Sequence, residues 1–151
     1  LHRIARRQRQ MCIRDSIQAE ILKLLDQLRK EMGLALIFIT HDLGVVSKLS
    51  DQIAVMYAGQ VVETGETELI LNQPKHPYTK ALLQCTPVLG SGENIAGGIP
   101  GLPPQPGLLP EGCSFSPRCS ESLDLCSKKE PNLVQYPERN CRCFLLESVH
   151  A

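Results

Sequence analysis

A chain of 151 residues is long enough to bury a core, and its balance of 16 Lys plus Arg against 16 Asp plus Glu gives no overall field for a polyanion. No apolar stretch reaches the roughly 18 residues that span a bilayer, and the basic start leads into no apolar segment of the signal-peptide kind. An intracellular chain is therefore expected, where clustered cysteines more often bind metal or do redox chemistry than form structural disulfides.

In chain order, Leu1 to Arg14 carries Arg3, Arg6, Arg7, Arg9 and Arg14 with no acidic residue, the pattern of a solvated end or of a nucleic-acid arm. All eleven prolines lie at or after Pro74, so the first half can hold regular structure and the second is punctuated by turns. In "SIQAEILKLLDQLRKEMG", Ile17, Ile21, Leu24, Leu25 and Leu28 recur at helical spacing, with Ser16 as cap and Gly33 as stop. "LALIFIT", Leu34 to Thr40, is a continuous apolar run and predicts a strand covered on both faces in a parallel α/β layer.

Next, "HDLGVVSKLS" predicts a strand-end loop and a short helix. "QIAVMYAGQVVETG" predicts two strands around Ala58-Gly59. "TELILN" and "HPYTKALLQC" predict short helices, the second with Pro77 in its first turn. His76 is expected as the entry residue of that helix with Tyr78 packed beneath it, and Cys85 as core. Pro87 to Gly112 is Gly- and Pro-rich, as an extended linker would be.

The remaining thiols follow as Cys113-x5-Cys119-x6-Cys126-x16-Cys143, with Cys141 two residues before the last. A zinc knuckle usually brings pairs at C-x2–4-C, and none of the first three spacings fits. Wider loops suit a bulkier iron–sulfur cubane, stiffened by Pro117 and Pro131. Zinc, four reduced thiols packed as small hydrophobes, and disulfides are the alternatives that spacing leaves open.

The series of apolar run, Thr40-His41-Asp42, the hairpin "SDQIAVMYAGQVVETG", "HPYTKALL" and "IPGLPPQPGLLPEGCSFSPRC" resembles one family. It is similar to the C-terminal part of the ATP-binding subunit of ABC transporters, in the dipeptide, oligopeptide and nickel importer group. The resemblance covers Ser16 to about Glu147. It implies an α/β fold: a C-terminal fragment of a P-loop NTPase domain with a small, irregular Cys-rich extension. The implied boundaries are 16–86 for the nucleotide-binding part, 87–112 for the linker and 113–147 for the Cys-rich region. Before it, "MCIRDS" resembles a translated sequencing-adapter remnant, so 1–15 is expected to be a non-native or disordered start.

The resemblance further implies that His41 is the switch histidine, contacting the γ-phosphate of ATP and helping to hold the attacking water. The carboxyl end of a buried strand would present it rigidly, with Asp42 fixing its loop or starting the next helix. It also implies that Cys113, Cys119, Cys126 and Cys143 hold a 4Fe–4S cluster, with zinc as the alternative metal. Cys141 is then a spare thiol or an alternative ligand, and Arg118 a counter-charge to the thiolates or an interface residue. ATP and Mg are the cofactors of the full-length parent. Permease subunits, a second identical or homologous ATP-binding subunit and, indirectly, a peptide-binding protein are its partners. Its place is the cytoplasmic face of the inner membrane, as a peripheral subunit of a peptide importer.

No "GxxxxGK[ST]", no "LSGGQ" and no apolar strand ending in Asp-Glu occurs in the 151 residues. This chain alone is therefore expected not to hydrolyse ATP. The rival reading is a stand-alone iron–sulfur or zinc-binding interaction module. A nucleic-acid-binding arm at Arg3 to Arg14 is a third, recognisable by salt-dependent DNA binding, and the leading reading has no nucleic-acid partner.

Overall fold

The computed structural model describes residues 20–85, 98–105 and 107–147. The expected basic start, the Ser16 cap and most of the first half of the linker lie outside the described residues. Compact units divide between His41 and Asp42.

The first unit holds helix α1, described over residues 20–32. Its i,i+3 and i,i+4 pairs run from Asp26 to Arg29 at 3.2 Å and to Lys30 at 2.7 Å. Gly33 ends it at φ +63°, and the Leu34 amide donates back to the Arg29 carbonyl at 3.1 Å, closing a Schellman turn. The run 34–40 that follows is the largest departure from expectation. It forms no strand, and Ile37 and Ile39 are 91% and 96% exposed. A doubly covered parallel strand takes its hydrogen bonds from two neighbours and its cover from helices on both faces. Among the described residues the sheet contains only the four strands of the other unit, all antiparallel. The parallel layer is therefore corrected to a small α/β arrangement with an antiparallel sheet.

In the second unit, Asp42 caps α2 (Leu43–Leu49), its carboxylate accepting the Gly44 and Val45 amides at 2.9 and 3.3 Å. Strands β1 (Gln52–Tyr57) and β2 (Gln60–Glu66) form the expected hairpin. Ala58 and Gly59 both take positive φ, +49° and +82°, as a two-residue type I′ turn requires. Then come α3 (Thr67–Asn72) and α4 (Pro77–Gln84), with Pro77 in its first turn and Cys85 at its C-cap rather than in the core.

The Cys-rich segment returns to the same sheet. β3 (Val134–Tyr136) and β4 (Arg139–Cys141) form a hairpin whose inner strand pairs with β2, Glu63 opposite Cys141 and Gly65 opposite Arg139. The sheet order is β1-β2-β4-β3. Val55, Tyr57, Val62, Ile70 and Phe115 form the core, with Tyr78, Cys113 and Cys119 packed against it. Tyr57, Tyr78 and Phe115 meet with ring centroids 4.7 to 5.3 Å apart, in tilted and edge-to-face geometry. The thiol-bearing loops thus share one core with the hairpin that precedes them.

Arg118 has a task that neither expectation anticipated. Its guanidinium donates to the Ile99 and Pro100 carbonyls at 2.9 Å each and to the Tyr57 hydroxyl at 3.3 Å. It straps residues 99–100 onto β1.

Candidate functional site: a pocket of four thiols

Four short segments converge on one small cavity. Cys113 follows Gly112, Cys119 ends the 3-10 turn Ser116–Arg118, Cys126 sits in the 3-10 turn Asp124–Ser127, and Cys143 lies between β4 and helix α5 (Phe144–Glu147). All four line the cavity, together with His76, Phe115 and Pro131. Main-chain hydrogen bonds hold the loops. The Cys113 amide donates to the Cys126 carbonyl at 2.8 Å, Ser116 to Cys113 at 2.9 Å and Cys126 to Leu123 at 2.9 Å.

Gly112 makes the Cys113–Cys126 crossing possible. A Cβ there would meet the Cys126 carbonyl oxygen and lie 2.7 Å from the Ser127 carbonyl carbon, both of them backbone. Gly112→Ala is therefore expected to push the two loops apart and cost about 1–3 kcal/mol, read as a lower urea midpoint with unchanged slope.

Burial is the first cause that raises the pKa of Cys113, Cys119 and Cys143, and the neighbouring thiols add to it. Cys143 is pushed up to about 11 by burial and then by Cys113, Cys119 and Cys126. Against this, the amide two residues on meets each sulfur and favours its thiolate: Phe115 for Cys113, Glu121 for Cys119, Leu145 for Cys143. That pattern of amides aimed at sulfur suits a thiolate-bound metal group, whose electronics are tuned by such bonds. Among the described residues, however, no three His, Cys, Asp or Glu side chains close on a single ion position as they stand. Thiols are donors of the kind such a group takes, but these four do not form a metal site as they stand.

Cys141 does not join them. It is fully buried in β4 opposite Glu63, and burial together with the Glu63 carboxylate drives its thiol far up. His41 lies in the other unit, exposed, after the 34–40 run.

Two residues of weight were underrated in the sequence. Glu63 is fully buried; it accepts the Lys75 amide at 2.8 Å, the His76 amide at 3.0 Å and the Arg139 guanidinium at 3.2 Å. The signal was a carboxylate directly after two valines in a short strand, "QVVETGE". His76 is the expected helix-entry residue: its Nδ1 accepts the Tyr78 amide at 3.1 Å. Tyr78 itself packs on Tyr57 and Phe115.

Burial lowers the His76 pKa from 6.5 to about 4. The folded chain therefore holds fewer protons on this ring than the unfolded chain between those values. Its contribution to stability is complete above pH 6.5, falls as pH drops, and is exhausted below about pH 4. Urea midpoints of the metal-free chain are expected to fall across that window by an amount equivalent to about 3 kcal/mol, and His76→Asn to remove this component of the slope.

Residues 62–126 match the C-terminal region of the oligopeptide/dipeptide transporter. Over this region the chain is similar to that family. Among its relatives, the oligopeptide transport ATP-binding protein AppD of Bacillus subtilis is 41% identical over 137 residues, which are 90% of this chain and 42% of that protein. The dipeptide transport ATP-binding protein DppF of Haemophilus influenzae is 40% identical over 136 residues, 87% of this chain and 41% of that protein. The chain thus spans about two fifths of the length of the curated relatives it matches. The matched region takes in most of β2, all of α3 and α4 and three of the four pocket thiols, and ends at Cys126.

Proposed function

We propose that this chain is the C-terminal portion of the ATP-binding subunit of a bacterial peptide importer, in which ATP binding and hydrolysis drive peptide uptake. The observation that carries the reading is the match of about 90% of the chain to oligopeptide and dipeptide transport ATP-binding proteins. In the intact subunit, 16–86 would complete a P-loop NTPase domain, and the exposed run 34–40 would gain the strand neighbours it needs. ATP and Mg would lie between two such subunits docked on the permease at the inner face of the membrane.

His41, directly after that run, would reach the γ-phosphate and orient the attacking water. The test is made in the intact ATP-binding subunit that contains this segment. His41→Ala is expected to lower ATP hydrolysis roughly a hundredfold and to abolish uptake of a labelled peptide, with nucleotide still bound. Hydrolysis at the wild-type rate would remove His41 from the reaction. Unimpaired peptide uptake in cells lacking the whole subunit would overturn the transport reading.

In the same reading Cys113, Cys119, Cys126 and Cys143 hold a 4Fe–4S cluster, supported by their shared cavity and by the amides aimed at three of the sulfurs. Such a group would supply a structural cross-link between four short segments with little apolar mass. Iron, sulfide and zinc are to be measured on the chain purified without oxygen. About four irons and four sulfides with a broad visible absorption are expected. Stoichiometric zinc would replace the cluster with the alternative metal, and a folded chain free of both would end the claim.

A further inference from the structure

Two of the pocket cysteines directly follow an arginine, Arg118 before Cys119 and Arg142 before Cys143. The two guanidiniums are bound alike. Arg118 donates from Nε to the Pro100 carbonyl at 2.9 Å, from Nη2 to the Ile99 carbonyl at 2.9 Å and from Nη1 to the Tyr57 hydroxyl at 3.3 Å. Arg142 donates from Nε to the Val61 carbonyl at 3.1 Å, and from Nη1 to the Pro131 carbonyl at 3.1 Å and to Glu130 at 3.2 Å. Each arginine therefore ties the β1–β2 hairpin to one irregular segment, 99–100 or 130–131.

The backbone beside each sulfur is held as well. The Arg142 amide donates to the Val62 carbonyl at 2.9 Å. The Arg118 and Cys119 amides close the turn before the other sulfur, donating to the Phe115 carbonyl at 3.0 Å and to the Ser116 carbonyl at 3.3 Å. Glu130 also accepts the Gln60 side-chain amide at 2.6 Å, and Pro131 lines the thiol cavity. A counter-charge to thiolates would need only a cation nearby, whereas these two groups spend their donors on oxygen atoms. The bonds leave from two or three separate nitrogens of one planar fork, which the single nitrogen of a lysine does not supply.

We propose that Arg118 and Arg142 are the positioning residues of the thiol pocket: their guanidiniums bolt the hairpin to the adjoining loops and so fix the turns that bring Cys119 and Cys143 to the cavity shared with Cys113 and Cys126. Only the consequence for a bound metal group rests on the reading above; the positioning concerns this chain's own sulfurs.

The test uses the 151-residue chain, reduced and metal-free, with timed iodoacetamide labelling and a rate for each cysteine by mass spectrometry. Arg142→Lys and Arg118→Lys keep the charge and lose the fork, while Arg142→Met and Arg118→Met lose both. In the two Arg142 variants Cys143 is expected to label about tenfold faster relative to Cys85, with Cys119 near its wild-type ratio. In the two Arg118 variants the acceleration is expected at Cys119 instead. Lysine variants at the wild-type ratio beside accelerated methionine variants would overturn the proposal, by making the charge and not the fork the working part. Unchanged ratios in all four variants, or a common rise at every cysteine, would overturn it too. So would loss of the fold in both lysine variants, read by circular dichroism, which would make the arginines general structural residues. Metal content is not part of this readout, so a chain that takes up no iron or zinc would end the cluster reading and leave this test intact.

Discussion

Glu63→Ala is expected to destabilise the second unit by about 3–5 kcal/mol, a large part of the roughly 5–15 kcal/mol that holds a domain together. The carboxylate is fully buried and receives three donors: the Lys75 and His76 amides and Arg139. Removing it leaves two amides without their acceptor and the Arg139 charge, 8% exposed, without its counter-ion. The hydrogen bond from Arg139 to the Gln73 carbonyl at 2.6 Å remains and compensates only in part. Urea unfolding followed by circular dichroism measures the loss. Glu63→Gln, which keeps an acceptor without the charge, is expected to cost about 1–3 kcal/mol, and Glu68→Ala, at an exposed position of α3, less than about 0.5. A double variant with Arg139→Ala should lose less than the sum of its parts, because the orphaned charge is gone. Equal, small effects at Glu63 and Glu68 would mean that the buried pair does not hold β2, β4 and the entry of α4 together.

Cys143→Ser and Cys141→Ser are expected to have opposite effects, although the two residues are separated by one position. Under the proposed cluster, Cys143→Ser removes one of four ligands and should abolish iron and sulfide retention through gel filtration, with a modest change in the stability of the metal-free chain. Cys141→Ser should keep the group bound. It places a hydroxyl in the fully buried β4 position opposite Glu63, and a cost of about 1–3 kcal/mol is expected in urea unfolding. Loss of metal from Cys141→Ser with retention by Cys143→Ser would reverse the ligand assignment. Retention by both would remove the pocket from metal binding.

The hairpin and the helix ends show where local signals sufficed. Gly33 at positive φ, the Ala58-Gly59 turn and Pro77 opening α4 lie where the residues place them, because each acts within one turn of its own position. Distant partners were not legible. Arg139–Cys141 is three residues long, too short for any period, and its pairing with Glu63–Gly65 lies across the whole Cys-rich segment. The apolar run 34–40 carries the pattern of a buried strand, but pattern records only a preference for cover; the described residues supply no strand to bond it.

The residues by themselves determined the short helices α2, α3 and α4, the hairpin and the likeness to one transporter family. Capping, turn chemistry and periodicity are local, and a run of family motifs in order can be read without coordinates. Tertiary structure alone decided that the Cys-rich segment completes the hairpin's sheet, that Glu63 holds the entry of α4 and Arg139, and that Cys141 lies opposite Glu63 while Cys143 lines the cavity with the other thiols. Those outcomes depend on which strand lies beside which, and a strand's neighbour is set by the packing of the whole unit rather than by anything written next to it in the chain.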